Sequence, residues 1–166
     1  MNPTTEKLII AYDKMLERIH HIFDHADDET PPLFKDTVRQ AQEKAVELSE
    51  LSKEEADKIG DYLHRDIQDA AHFLAKTEKE LEEWINFDLE LVESNIQRWF
   101  SGVADQTRVE INKLSSMAEL SGHYKVGEVT GPGTLYCGSC DKKMPFKKTG
   151  YIPPCPECKN DQFRRA

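Results

Sequence analysis

Cys137-Gly-Ser-Cys140-Asp-Lys-Lys-Met-Pro-Phe-Lys-Lys-Thr-Gly-Tyr-Ile-Pro-Pro-Cys155-Pro-Glu-Cys158 holds every cysteine of a 166-residue chain, as two C-x-x-C pairs fourteen residues apart. Each pair can place two sulfurs on one metal ion from a tight turn. The segment between them must then run out and back as a hairpin. That is the pattern of a tetrahedral, four-cysteine zinc ribbon, with Cys137, Cys140, Cys155 and Cys158 as ligands. A thioredoxin-type dithiol would need a cysteine opening a helix, and neither pair precedes a helical pattern. Iron in a rubredoxin-like site has the same spacing, so spacing alone leaves the metal open between zinc and iron. Knuckle turns favour glycine after the second cysteine, where left-handed backbone is common. Here Asp141 and Lys159 stand there; Asp tolerates that conformation better than Lys.

A metal is physically needed. The segment from 134 to 166 offers few core-forming side chains: Leu135, Tyr136, Met144, Phe146, Tyr151, Ile152 and Phe163. So few cannot offset the chain entropy of folding, and the metal supplies the difference. Four thiolates also fill the coordination sphere, which makes the expected ion, one Zn2+, structural rather than catalytic.

Outward from this stretch the chain changes character. Residues 1–120 carry a net charge of −13 and residues 121–166 a net +4, within a whole-chain value of −9. The expected organisation is therefore an acidic α-helical or coiled-coil region over 1–120 and a C-terminal ribbon over 121–166. Read as separate parts, loss of one ligand, as in Cys155→Ser, is expected to unfold the ribbon and spare most of the helical signal.

The fold class is mainly α: long amphipathic helices in a bundle or coiled-coil hairpin, followed by a small β-type zinc ribbon. Asn2-Pro3 reads as a helix start. Leu8, Tyr12, Leu16, Ile19 and Phe23 mark a helix over about 4–27. Pro31-Pro32 interrupts it. Phe34, Val38, Ala41, Ala45 and Leu48 mark a second over about 33–48. Ser52-Lys-Glu-Glu55 is a capping box. Behind it Ile59, Leu63, Ile67, Ala70, Leu74, Leu81, Trp84, Val92, Ile96 and Trp99 recur with heptad-like spacing. That predicts a helix over about 53–100, on the order of 70 Å long. Thr77-Glu-Lys-Glu80 is a second capping box that would split it. A break at Ser101-Gly102 and a last helix near 106–119, capped by Asp105 and lined by Val109, Ile111, Leu114 and Met117, complete the helical part. Tyr124–Thr130 alternates like a strand, and Gly131-Pro132-Gly133 is turn chemistry.

The run Gly127-Glu-Val-Thr-Gly-Pro-Gly-Thr-Leu-Tyr-Cys137, with Tyr151-Ile-Pro-Pro-Cys-Pro-Glu-Cys158 and Phe163-Arg-Arg165, resembles the bacterial zinc-ribbon-containing, YbeL-like family, a family of unknown function. The resemblance implies a zinc ribbon behind a helical region, with ligand roles on the same four cysteines, and implies no activity.

Three functional classes follow. A non-enzymatic interaction protein would use the acidic helices or the ribbon to bind an unidentified protein partner; the heptad stripe also permits self-association. Nucleic-acid binding would use Lys142, Lys143, Lys147, Lys148, Lys159, Arg164 and Arg165 with Tyr136, Phe146, Tyr151 and Phe163. Against it, a zinc centre with four thiolates lowers the ribbon's charge to about +2, a weak field beside the acidic helices. A rubrerythrin-like di-iron redox protein would need carboxylate-x-x-His pairs facing the bundle core. Glu17/His20, Asp61/His64 and Asp69/His72 have that spacing, but Glu17, His20 and His64 each sit one position past the apolar stripe. His21 and His25 form an i, i+4 pair of the kind that usually faces solvent. No phosphate loop or nucleophile elbow is recognisable. No apolar run approaches the roughly 18 residues of a membrane helix, and no signal peptide is evident. The expectation is a soluble cytoplasmic protein, with reduced thiols free for metal.

Overall fold

The structure, a computed structural model, describes residues 3–27, 29–77, 79–85, 92–113 and 123–165, with the backbone alone considered at 111–113. Among the described residues, five helices come first: α1 (Pro3–Asp24), α2 (Phe34–Glu47), α3 (Lys53–Thr77), α4 (Leu81–Ile85) and α5 (Ser94–Lys113). Six short strands follow among them: β1 (Tyr124–Lys125), β2 (Val129–Thr130), β3 (Gly133–Cys137), β4 (Lys143–Phe146), β5 (Gly150–Tyr151) and β6 (Gln162–Arg165).

The apolar periodicity becomes a bundle of α1, α2, α3 and α5. Tyr12, Leu16, Ile19, Phe23, Phe34, Val38, Ala41 and Ala45 are buried in one core with Ile59, Leu63, Ile67, Leu74, Trp84, Ile96 and Phe100. The capping box at Ser52 forms as read: the Glu55 amide donates to Ser52 Oγ (3.1 Å) and the Ser52 amide to Glu55 Oε2 (2.9 Å). α2 ends in a Schellman motif. Ser49 takes a left-handed φ of 57°, and the Glu50 and Ser49 amides donate to the Ala45 and Val46 carbonyls. α2 has no side-chain cap of its own. Glu110 of α5 supplies one, accepting the Phe34 amide at 2.8 Å.

The continuous helix over 53–100 is not what forms. α3 ends at Thr77, where the second capping box allowed a break, and its 25 residues span about 38 Å. The heptad stripe is divided among neighbours: α3 packs against α1, α2 and α5, so its apolar face fills a bundle. Ser101-Gly102 is not a break either, and Asp105 is not a cap; all three lie inside α5. Gly102 is small because α1 crosses there: a methyl group on it would sit 2.7 Å from the His20 ring. Val109 and Leu48, read as core, are 40% and 50% exposed. Asn2, Leu114, Met117 and the Ile111 side chain lie outside the described residues.

The expected strand over 124–130 breaks at Gly127 (φ 96°), giving β1 and β2 to different sheets. A four-stranded antiparallel sheet has the order β1-β6-β3-β4, and β2 pairs with β5. Tyr124, Leu135, Met144, Ile152 and Phe163 form the small ribbon core with Cys137 and Cys155. Val129, by contrast, is buried in the helical core. None of the described helices is long and apolar enough to cross a membrane.

Candidate metal centre

The two knuckles are built alike. In the first, the Asp141 amide donates to the Cys137 carbonyl (3.1 Å) and the Cys137 amide to Lys142 (3.0 Å). In the second, the Lys159 amide donates to Cys155 (3.0 Å) and the Cys155 amide to Asn160 (3.1 Å). Turns this tight need left-handed backbone after the second cysteine. Asp141 and Lys159 adopt it, with φ of 57° and 64°, although Lys159 does so against the preference of its side chain. Lys142–Glu157 (2.9 Å) ties one knuckle to the other, and Arg164–Asp141 (2.6 Å) ties β6 to the first.

The four sulfurs all lie within 4.8 Å of one another. Cys137 and Cys158 Sγ are 3.5 Å apart, Cys140 and Cys155 Sγ 3.6 Å. In each knuckle the first cysteine is buried and the second exposed. The Ser139 amide (3.4 Å) and Asn160 Nδ2 (3.6 Å) approach Cys137 Sγ. Burial opposes ionisation of Cys137, but donation from the Cys140 and Ser139 amides outweighs it and brings the thiol down to about 6. The Lys142 amide favours a Cys140 thiolate, but burial and the three neighbouring sulfurs outweigh it and push that thiol up to about 12. The four thiols therefore do not ionise alike, and the site takes its metal by losing protons. Four soft donors, with no carboxylate or imidazole among them, fit zinc and close its sphere.

Among the described residues, no other group of three or more His, Cys, Asp or Glu converges in this way. The di-iron candidates are dispersed. Glu17 and Asp61 are exposed, the His64 ring packs against Phe34 at 5.3 Å, and Asp69 accepts the Tyr124 hydroxyl at 2.7 Å. The His21 and His25 rings stack at 4.1 Å, and His25 Nδ1 lies 2.9 Å from the His21 carbonyl; that is ring stacking rather than a chelate. The basic and aromatic residues of the ribbon are also divided. Phe163 is buried, Lys142 and Arg164 are ion-paired, and Arg165 lies inside the molecule over the Trp84 ring at 4.3 Å.

Arg165 leads to a polar junction that the sequence reading did not identify. Asp66 of α3 is fully buried. Its carboxylate accepts Tyr12 OH (2.7 Å), the Gly131 amide (2.8 Å), Thr130 Oγ1 (3.2 Å) and Arg65 Nε (3.0 Å). Arg65 also pairs with Glu128, donates to the Val129 carbonyl (3.0 Å) and lies over the Tyr124 ring at 4.0 Å. Arg165 donates to Tyr124 OH and Thr130 Oγ1, each at 2.9 Å. Burial alone would lower the Arg65 and Arg165 pKa values, and the anionic and phenolic groups around them reverse that. Burial raises both Tyr12 and Tyr124. Two signals were present. Asp66 falls seven residues after Ile59 and three after Leu63, in a slot of the apolar stripe. Arg165 is two residues after Phe163 and so shares its strand face.

Comparison with known proteins agrees with this geometry. A family model described as a zinc-ribbon containing domain matches residues 21–166. "Uncharacterized protein YbeL" of Escherichia coli strain K12 is 27% identical over 128 residues, covering 77% of this chain and 79% of that protein. The protein of the same name from E. coli O6:H1 strain CFT073 gives the same figures. No solved structure matches. With the four converging sulfurs, the family match identifies the ion as one structural zinc.

Proposed function

This chain belongs to the zinc-ribbon containing domain family, and from that premise we propose that it is a non-enzymatic, cytoplasmic protein-interaction module. Its ribbon is held by one zinc on Cys137, Cys140, Cys155 and Cys158. The observation that carries the reading is the closed set of four sulfurs, alone among the described residues in offering three or more ligating groups to one point. A filled sphere offers no place for substrate or activated water. What bound zinc supplies is folding energy for a segment with a small core. The surfaces left to do work are those of the acidic helices and of the ribbon, and a protein partner suits a molecule with a net charge of −9 better than an anionic polymer does.

Elemental mass spectrometry on protein purified without added metal or a polyhistidine tag tests the metal half. About one zinc per chain is expected; two or more irons per chain would overturn the assignment. Affinity capture with the full chain as bait tests the interaction half, which fails if no protein is recovered stoichiometrically.

A further inference from the structure

The ribbon's strands connect the metal to the middle of the helical bundle. β3 runs from Gly133 to the ligand Cys137, and β6 pairs with it so that Phe163 lies opposite Cys137 and Arg165 opposite Leu135. Both strands therefore have one end at the sulfurs and the other at the Asp66 junction. Between them, Thr134 Oγ1 donates to the Ile85 carbonyl at 2.7 Å. The approach at Gly131 is close: a methyl group there would lie 2.7 Å from Tyr12 Oη and 3.1 Å from Phe100.

We propose that the ribbon is a metal-gated latch on the bundle: zinc keeps Thr130, Gly131 and Arg165 seated against Asp66 and Trp84, and loss of zinc withdraws them and uncovers the helical face around Tyr12, Trp84, Ile85 and Phe100. The reasoning is a linkage. The ribbon core is too small to fold without its metal. When the ribbon opens, Asp66 loses two of its four donors, and Arg165 leaves the Trp84 ring. Tyr12, Ile85 and Phe100, each 0–1% exposed, lose part of their cover. Metal affinity is thereby coupled to helix stability, since a ligand that binds only the closed state stabilises everything that closes with it. This opposes the expectation that Cys155→Ser would spare the helices. The latch gives a zinc site with no chemistry of its own a readable output, which is the exposure of an apolar face. It rests on the structural-zinc reading above.

The test is hydrogen exchange by mass spectrometry on the full-length chain, with zinc content measured on the same samples, before and after a high-affinity chelator. Peptides from α3 and from Tyr12 in α1 should exchange at least about tenfold faster once zinc is removed, together with those of the ribbon. Arg165→Met keeps all four cysteines. It should retain one zinc per chain and show a much smaller helical response to the chelator. A wild-type chain that holds one zinc and whose helices ignore its removal overturns the latch and leaves the structural-zinc reading intact. An unaltered helical response in Arg165→Met also overturns it. A chain that binds no metal overturns both.

Discussion

Replacing Asp66 by asparagine probes the junction with almost no change in shape. The side chain is fully buried, so no solvent screens it and no cavity opens. In the least costly orientation the amide oxygen takes over from Oδ2 and still accepts Tyr12 OH, the Gly131 amide and Thr130 Oγ1, which lie 2.7, 2.8 and 3.2 Å away. The new NH2 then faces Arg65 Nε, the 3.0 Å partner of Oδ1, donor against donor. Arg65 is only 11% exposed and keeps Glu128 as its remaining counterion. Losing one partner of a buried charge pair costs roughly 3–5 kcal/mol, and losing a charged hydrogen bond about 1.5–3. With Glu128 retained, a destabilisation of about 3 kcal/mol is expected. For a chain of this size that lowers Tm by about 6–12 °C. The assay is thermal unfolding followed by far-UV circular dichroism on zinc-loaded protein, with Asp61→Asn, exposed on the same helix, as the control. A midpoint for Asp66→Asn indistinguishable from that of Asp61→Asn would refute the view that the junction carries stability.

Gly131→Ala should cost about 1–3 kcal/mol, because its methyl group meets Tyr12 and Phe100, both essentially unexposed; an unchanged urea midpoint would show that β2 can shift away freely. Asp13 accepts a hydrogen bond from Thr149 of the ribbon, and burial raises its pKa to about 6 despite that bond. A raised folded-state value means its contribution to stability is complete below the unfolded pKa near 4 and is lost as pH rises through about 6. Asp13→Asn, which can still accept from Thr149, should therefore gain about 1 kcal/mol on wild type between pH 4 and pH 7, after discount for partial exposure. Parallel stability curves for the two proteins over that range would exclude the effect.

The parts of this protein that a reader of the sequence can name are those governed by local spacing. Two C-x-x-C turns bring their own sulfurs together, because four backbone units decide a knuckle; even Asp141 and Lys159 accept the left-handed conformation that the turn imposes. The capping box at Ser52 and the stripes through Tyr12, Leu16, Ile19 and Phe23 are equally local, and each forms as read. Where α3 stops was a choice between one helix and two, and the chain takes the break at Thr77, whose hydroxyl accepts the Lys79 amide at 3.3 Å. Gly102 looked like a break and is a contact, since nothing near it in sequence announces His20 across the bundle.

The junction was decided by tertiary structure alone. Asp66 and Gly131 are 65 residues apart, and Tyr12 is 54 from Asp66. An acid in an apolar slot, or an arginine on a core-facing strand position, shows only that some partner is required. Which partner it finds depends on how the ribbon is laid against the helices. The sequence by itself determined a helical region and a zinc ribbon. Folding decided that the two share a buried charge network, because a desolvated carboxylate is tolerable only where donors from both parts arrive at the same point.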